Sequence, residues 1–206
     1  AQGNVWVGGS FRASATFGAI QHVSTGGSDG YIAKLDSNGN VLFVNALSGA
    51  GNTDVVELQI SDDGDCYFTG NFDGTLSFPI PTLTAVDVTD LFYGKLNPNG
   101  GLAWAKQAGG LDLDMTQDIE LDAEENVYLG GFFFGTLVWQ SYSEVSQGYD
   151  DMFFAKTDSN GNVPDFTLRS ADASIESRSL MLKFSSPDED PLSSPRRQEA
   201  IVYAKQ

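Results

Sequence analysis

Two short acidic stretches carry the residues best placed for chemistry. Asp36-Ser37-Asn38-Gly39-Asn40 and Asp158-Ser159-Asn160-Gly161-Asn162 alternate oxygen-bearing side chains over five residues. A hard cation such as Ca²⁺ takes roughly six to eight oxygen ligands, and alternating Asp and Asn in a tight loop supplies several. The EF-hand loop adds a distant bidentate Glu, and none stands at that spacing here. A third stretch, Asn97-Pro98-Asn99-Gly100-Gly101, has the same outline without a carboxylate. A hairpin turn accounts for all three, because Asn-Gly suits the positive φ of tight turns. Calcium at Asp36, Asn38, Asn40, Asp158, Asn160 and Asn162 is the second reading.

Other candidates are sparser. Asp29, Asp90 and Asp151 each precede an apolar run. An Asp in that place caps a turn through nearby backbone N–H groups, and its appearance in every copy argues for structure over catalysis. Ser61-Asp62-Asp63-Gly64-Asp65 resembles the aspartate box of sialidase-like propellers, with altered spacing and a displaced aromatic. Four of the five Arg (Arg169, Arg178, Arg196, Arg197) lie far from it, towards the C-terminus, leaving Arg12; a clamp on a substrate carboxylate needs them grouped. His22 is the sole histidine and reads as a surface loop residue. Cys66, the sole cysteine, sits in an apolar run and reads as a buried structural thiol, leaving the redox compartment open. Trp104 and Trp139 could stack on sugars if exposed, but other copies carry aromatics there too, which points to packing. No phosphate loop or dinucleotide glycine pattern is present.

The elements that position these residues come from a repeat. GNVWVGGSF begins at 3, GDCYFTGNF at 64 and ENVYLGGFF at 125, steps of 61. The register holds through Trp6, Tyr67 and Tyr128; Gly9, Gly70 and Gly131; Phe11, Phe72 and Phe133; Phe17, Phe78 and Trp139; and Lys34, Lys95 and Lys156. Units are 3–63, 64–124 and 125–185, with a divergent segment at 186–206. Within a unit, four strands are predicted, here Val55 to Ile60, Cys66 to Phe72, Leu91 to Leu96 and Leu102 to Gln107, separated by Gly/Asn/Asp clusters. Helical periodicity is lacking. Four antiparallel strands per repeat predict an all-β fold, a β-propeller of four-stranded blades stacked face to face. Two blades read as full and two as partial, so the propeller is expected to be incomplete and the chain a piece of a longer one. After Val163 the pattern decays. Leu180 and Leu182 keep the 61-residue register, and Ile201 to Lys205 resembles Met152 to Lys156 at a spacing of 49.

GNVWVGGSF, DGYIAKLDSNGNVLF and DMFFAKTDSNGNV resemble the bacterial β-propeller repeat family known as SBBP, over residues 3 to about 165. Phe72-Asp73-Gly74-Thr75 and Phe133-Phe134-Gly135-Thr136 fit its "F-GT" element. The resemblance implies a propeller in a secreted or surface protein and implies no particular activity.

Composition narrows the function. The net charge of −17 opposes binding to nucleic acid or anionic lipid. It suits solubility, cations or a basic partner. No apolar run approaches the ~20 residues of a membrane span, and the Ala1-Gln2 start without Met is that of a processed secreted chain or an excised piece. The expected function is a non-catalytic protein-binding scaffold of a secreted, cell-surface or outer-envelope bacterial protein, including a subunit of an envelope complex. Binding would use the connections that differ between copies, Arg12 to Thr25, Thr75 to Val88 and Gln140 to Gln147. The alternatives are a piece of a propeller enzyme acting on glycans, as hydrolase or lyase, and a calcium-dependent adhesion module.

Overall fold

The computed structural model describes residues 3–78 and 81–163. Every regular element among them is a strand. In chain order they are β1 (Val5–Phe11), β2 (Ser14–Phe17), β3 (Ile20–Val23), β4 (Asp29–Leu35), β5 (Val41–Gly49), β6 (Thr53–Ile60), β7 (Cys66–Phe72), β8 (Thr75–Ser77), β9 (Thr82–Thr84), β10 (Asp90–Leu96), β11 (Leu102–Leu111), β12 (Asp114–Leu121), β13 (Val127–Phe133), β14 (Thr136–Trp139), β15 (Tyr142–Val145) and β16 (Asp151–Thr157). The chain is all-β, in several antiparallel sheets, none closed.

The 61-residue step is visible in the strands. β1, β7 and β13 start at 5, 66 and 127, and β4, β10 and β16 at 29, 90 and 151. The irregularities recur too: β6 bulges between Val55 and Glu57, and β12 between Thr116 and Asp118. A bulge twists and bends its strand, so repeating it gives each sheet the same shape. One four-stranded set is complete, β6-β7-β10-β11, flanked by three-stranded sets β1-β4-β5 and β12-β13-β16. The end of unit 125–185, the Leu180/Leu182 register, the Ile201 to Lys205 motif and segment 186–206 lie outside the described residues.

The structure differs from the sequence reading in the long connections. They are hairpins: β2–β3, β8–β9 and β14–β15. Two of them pair with the outer strand of the preceding repeat, β8 with the end of β5 and β14 with the end of β11. Strands of three or four residues with only alternate positions apolar are too short to leave a pattern in the sequence. His22 accordingly lies in β3, opposite Ala15, not in a loop.

Recurrent residues fill the space between successive repeats. Lys34, Lys95 and Lys156 stand cross-strand from Trp6, Tyr67 and Tyr128. Each ammonium lies about 5 Å from its ring centre, at 4.8, 4.8 and 5.0 Å, a cation–π distance. Lys34 donates to the carbonyl of Pro98, and Lys95 reaches Asp65 at 2.7 Å and Glu125 at 3.2 Å. Glu125 also accepts from the Tyr67 hydroxyl at 2.6 Å. Trp104 donates its indole N–H to Ser159, in the Asn-Gly turn of the next unit. Trp139 is fully buried and donates to the Tyr93 hydroxyl at 2.9 Å. Both tryptophans are packing residues.

Candidate functional site

The acidic turns fold as the hairpin reading expects. Asp36 Oδ1 accepts from the N–H groups of Asn38 and Asn40, both at 2.8 Å, and Oδ2 accepts from the Asn40 side chain. Asp158 repeats this with Asn160 and Asn162. Asp122 does the same with Glu124 and Asn126, an instance the sequence reading missed because Asp122-Ala123-Glu124-Glu125-Asn126 lacks the Asn-Gly pair. In each, the Asn turns its amide N–H₂, not its oxygen, towards the carboxylate. The side-chain and backbone N–H groups of Asn40 hold Asp36 below the usual carboxylate range. Partial burial pushes Asp158 up, but the bonds from Asn162 and Asn160 and the charge of Lys106 outweigh it and leave it lowered. Among the described residues no three His, Cys, Asp or Glu groups converge as metal ligands would.

The Asp that opens β4, β10 and β16 caps the end of the preceding hairpin. Asp29, Asp90 and Asp151 accept from the backbone N–H four residues earlier, at Thr25, Val86 and Gln147. All three are buried. Asp29 has a further partner in the Ser24 hydroxyl. Asp90 Oδ2 takes Gln107 Nε2 at 3.2 Å, and its Oδ1 has no partner within the protein.

Around Asp90 the middle repeat departs from the first. Gly26, Gly51 and Thr53 become, 61 residues on, Asp87, Asp112 and Asp114. Asp114 opens β12 and is as buried as Asp90. Its Oδ2 accepts from Gly110 N–H at 2.6 Å and its Oδ1 is also without a protein partner. The Gly109-Gly110 pair at the end of β11 runs past both carboxyls; a Cβ on Gly109 would lie 2.2 Å from Asp90 Cγ. Asp87 accepts from Asp112 N–H at 3.2 Å. Burial pushes Asp90 up to about 6, against the Val86 N–H and reinforced by the charge of Asp87. Burial pushes Asp114 up to about 7, against the Gly110 N–H and reinforced by Asp90 and Asp112. The two acids lie on different sheets, since Asp90 belongs to β10 and Asp114 to β12. Sequence reasoning set Asp90 aside as structural and missed Asp114; comparing the two copies residue by residue was the signal that could have found it.

The remaining candidates take structural places. Ser61 to Asp65 is a closed turn, with Ser61 N–H to Asp65 O and Gly64 N–H to Ser61 O, and Asp65 is tied to Lys95. Cys66 is fully buried, and burial pushes its thiol up to about 12. The most exposed large apolar residues gather in and beside the hairpins, among them Val23, Val86, Leu111, Val145 and Tyr149. A shallow depression in the first unit lies between Phe17, Ile20 and Val41.

No family model matches the chain. A curated relative, "Regulatory protein FlaEY" of Caulobacter vibrioides, is 28% identical over 141 residues, which is 66% of this chain and 15% of the relative. The chain thus matches a small part of that relative's length. The SBBP likeness rests on the residue pattern alone.

Proposed function

We propose that the chain is a segment of a β-propeller whose units are the 61-residue repeats, and that it serves as a non-catalytic protein-binding scaffold in a secreted, cell-surface or outer-envelope bacterial protein. The observation that carries this reading is the back-pairing of hairpins. β8–β9 and β14–β15 each extend the outer strand of the repeat before them, which couples neighbouring units, while Gln140 and Ser141 at the tip of β14–β15 stay exposed. Rigid frame and divergent tips are the arrangement that recognition surfaces use. The tips differ in chemistry between copies: Gly18-Ala19 links β2 to β3, and Gln140-Ser141 links β14 to β15. The Caulobacter relative's name, a regulatory protein, fits a role exercised through binding.

The test exchanges the three hairpins for one another, singly and together, and follows partner capture by crosslinking in the secreted and envelope fractions. Loss of capture with one exchange locates the surface. Capture that survives the triple exchange rules it out. For the architecture, successive units should be related by one common rotation about a single axis in a crystal structure of the parent protein; unrelated rotations would end the propeller reading.

A further inference from the structure

Three features compete for a role that scaffolding does not absorb. The depression at Phe17, Ile20 and Val41 is shallow and lacks a charged group. The exposed apolar residues of β11, β14 and β15, Leu111, Val138 and Val145, have nothing in the structure to say what covers them. The third feature is the acidic seam between β10 and β12, which the observations carry further.

We infer that Asp90 and Asp114 form a proton-holding carboxyl pair across the seam between two successive repeats, so that losing the proton loosens that seam. The geometry supports this in three ways. Both residues are fully buried, and each has one oxygen without a partner in the protein. A carboxylate left so costs far more than a carboxylic acid, whose O–H can be directed at a neighbouring acceptor. The seam itself is narrow: Thr89 and Leu113 form a parallel bridge across it, and Asp114 N–H donates to Thr89 O at 2.8 Å. Spreading it would break backbone bonds directly beside both acids. Finally, no opposite charge balances the pair. The charges acting on it, Asp87 and Asp112, are acidic. β7, β13 and β14 carry no charged residue, and β6 adds Asp54 and Glu57. On β12 itself stand Asp118 and Glu120. The lysines of β10 and β11 are engaged elsewhere, Lys95 with Asp65 and Glu125, and Lys106 with Asn162.

The first repeat shows the same joint without this device. Thr53 replaces Asp114, its N–H donates to Ser28 O at 2.9 Å, and Gly26 and Gly51 replace the flanking acids. Asp151, the counterpart of Asp90 in the third repeat, also has one oxygen without a protein partner, so what sets the β10–β12 seam apart from the first joint is the second buried acid, Asp114, and its acidic flanks.

The sign follows from burial. An acid whose proton is held more tightly when folded stabilises the fold most at low pH, and that contribution is lost as pH rises through the folded-state values, here about 6 and about 7. The experiment is thermal unfolding of the chain from about pH 4 to about pH 8.5, with D114N, D114T and the exposed-site control D112N. The expected result is a melting temperature that falls from about pH 4 to about pH 7 in the native chain and levels off above, with most of that fall abolished in D114N and D114T. D112N removes one surface charge and should keep most of it. Equal flattening in D112N would show general charge repulsion and overturn the inference. So would a calcium-induced rise in melting temperature at high pH that D114N abolishes, since the pair would then hold a cation. Should D114N fail to fold, carboxyl ¹³C titration of the native chain decides: two Asp signals titrating near neutrality support the pair, and every Asp titrating below about pH 5 refutes it.

Discussion

Phe92 lays its ring across Gly70, its cross-strand partner, so closely that a Cβ on Gly70 would lie 2.4 Å from the ring. Phe153 stands over Gly131 in the same way. An aromatic covering a strand glycine fills the gap that the missing side chain leaves. It also explains why a small residue and a large one recur at fixed positions in each copy. A Cβ there would also lie 2.1 Å from the Asp54 carbonyl oxygen, so Gly70→Ala, pressed by both ring and backbone, should destabilise the protein by about 1–3 kcal/mol, the usual cost of an overpacked core. Gly9→Ala should cost less, because a methyl added there would lie 3.3 Å from the Tyr31 ring, which is only half-buried. Urea unfolding compares the two; equal losses would mean that neither the ring nor the Asp54 carbonyl sets the cost.

Lys95 is the most heavily engaged cation between repeats. It touches the Tyr67 ring, Asp65 and Glu125 at once, and its side chain is 16% exposed. Replacing it with Met keeps the stem and leaves two largely buried carboxylates without their cation. Lys95→Met should lose about 1–3 kcal/mol. Lys106→Met, whose ammonium lies farther from its ring at 5.8 Å and bonds one Asn, should lose about 0.5 kcal/mol or less. Chemical denaturation of both variants checks the order.

The acidic turns give a graded prediction. Asp122 collects the N–H groups of Glu124 and Asn126, the Asn126 amide, the Tyr128 hydroxyl at 3.1 Å and Lys156 at 3.6 Å. Asp36 holds only its own turn. Asp122→Ala should therefore cost about 1–3 kcal/mol, and Asp36→Ala distinctly less. Because Asp36 and Asp158 are lowered, their contribution is present above the ordinary Asp value and lost as pH falls through the lowered one. For Ca²⁺ to use Asp36 it would have to displace three N–H donors. Millimolar Ca²⁺ should leave the melting temperature of D36N and the native chain shifted alike; a rise seen only with Asp36 present would restore the calcium reading.

Much of this architecture was legible before the structure, and the reason is periodic packing. Residues that touch the next repeat, such as Tyr67, Lys95 and Trp104, must recur because each joint needs the same fillers, so a 61-residue step exposes them. The hairpins were not legible. β8 has three residues, Thr75, Leu76 and Ser77, and its pairing with Ser48 and Gly49 is made by backbone groups, which any side chain permits. The buried acid pair escaped for the opposite reason. Asp114 is a departure from the repeat, and a search for shared positions passes over the residue that differs.

Cys66 offers a direct probe of whether the core is as closed as its packing implies. It opens β7 with no exposed surface, facing the cluster of Phe68, Phe92 and Leu96. Burial disfavours its thiolate, and the charge of Lys34 only partly offsets this, leaving the thiol at about 12. Thiolate is the reactive form, so at about pH 8 the folded chain presents almost none of it, and reagents cannot reach the sulfur. Ellman's reagent should therefore label Cys66 at a rate set by unfolding, slow in buffer and rapid in denaturant. Lys34→Met would test the electrostatic part: removing the cation should leave labelling in denaturant unchanged, while any increase in buffer reports loosening of the β1–β4 sheet over the thiol. Rapid labelling of the native chain in buffer would show that the first joint opens on its own, and with it would go the rigid coupling of repeats on which the binding role depends.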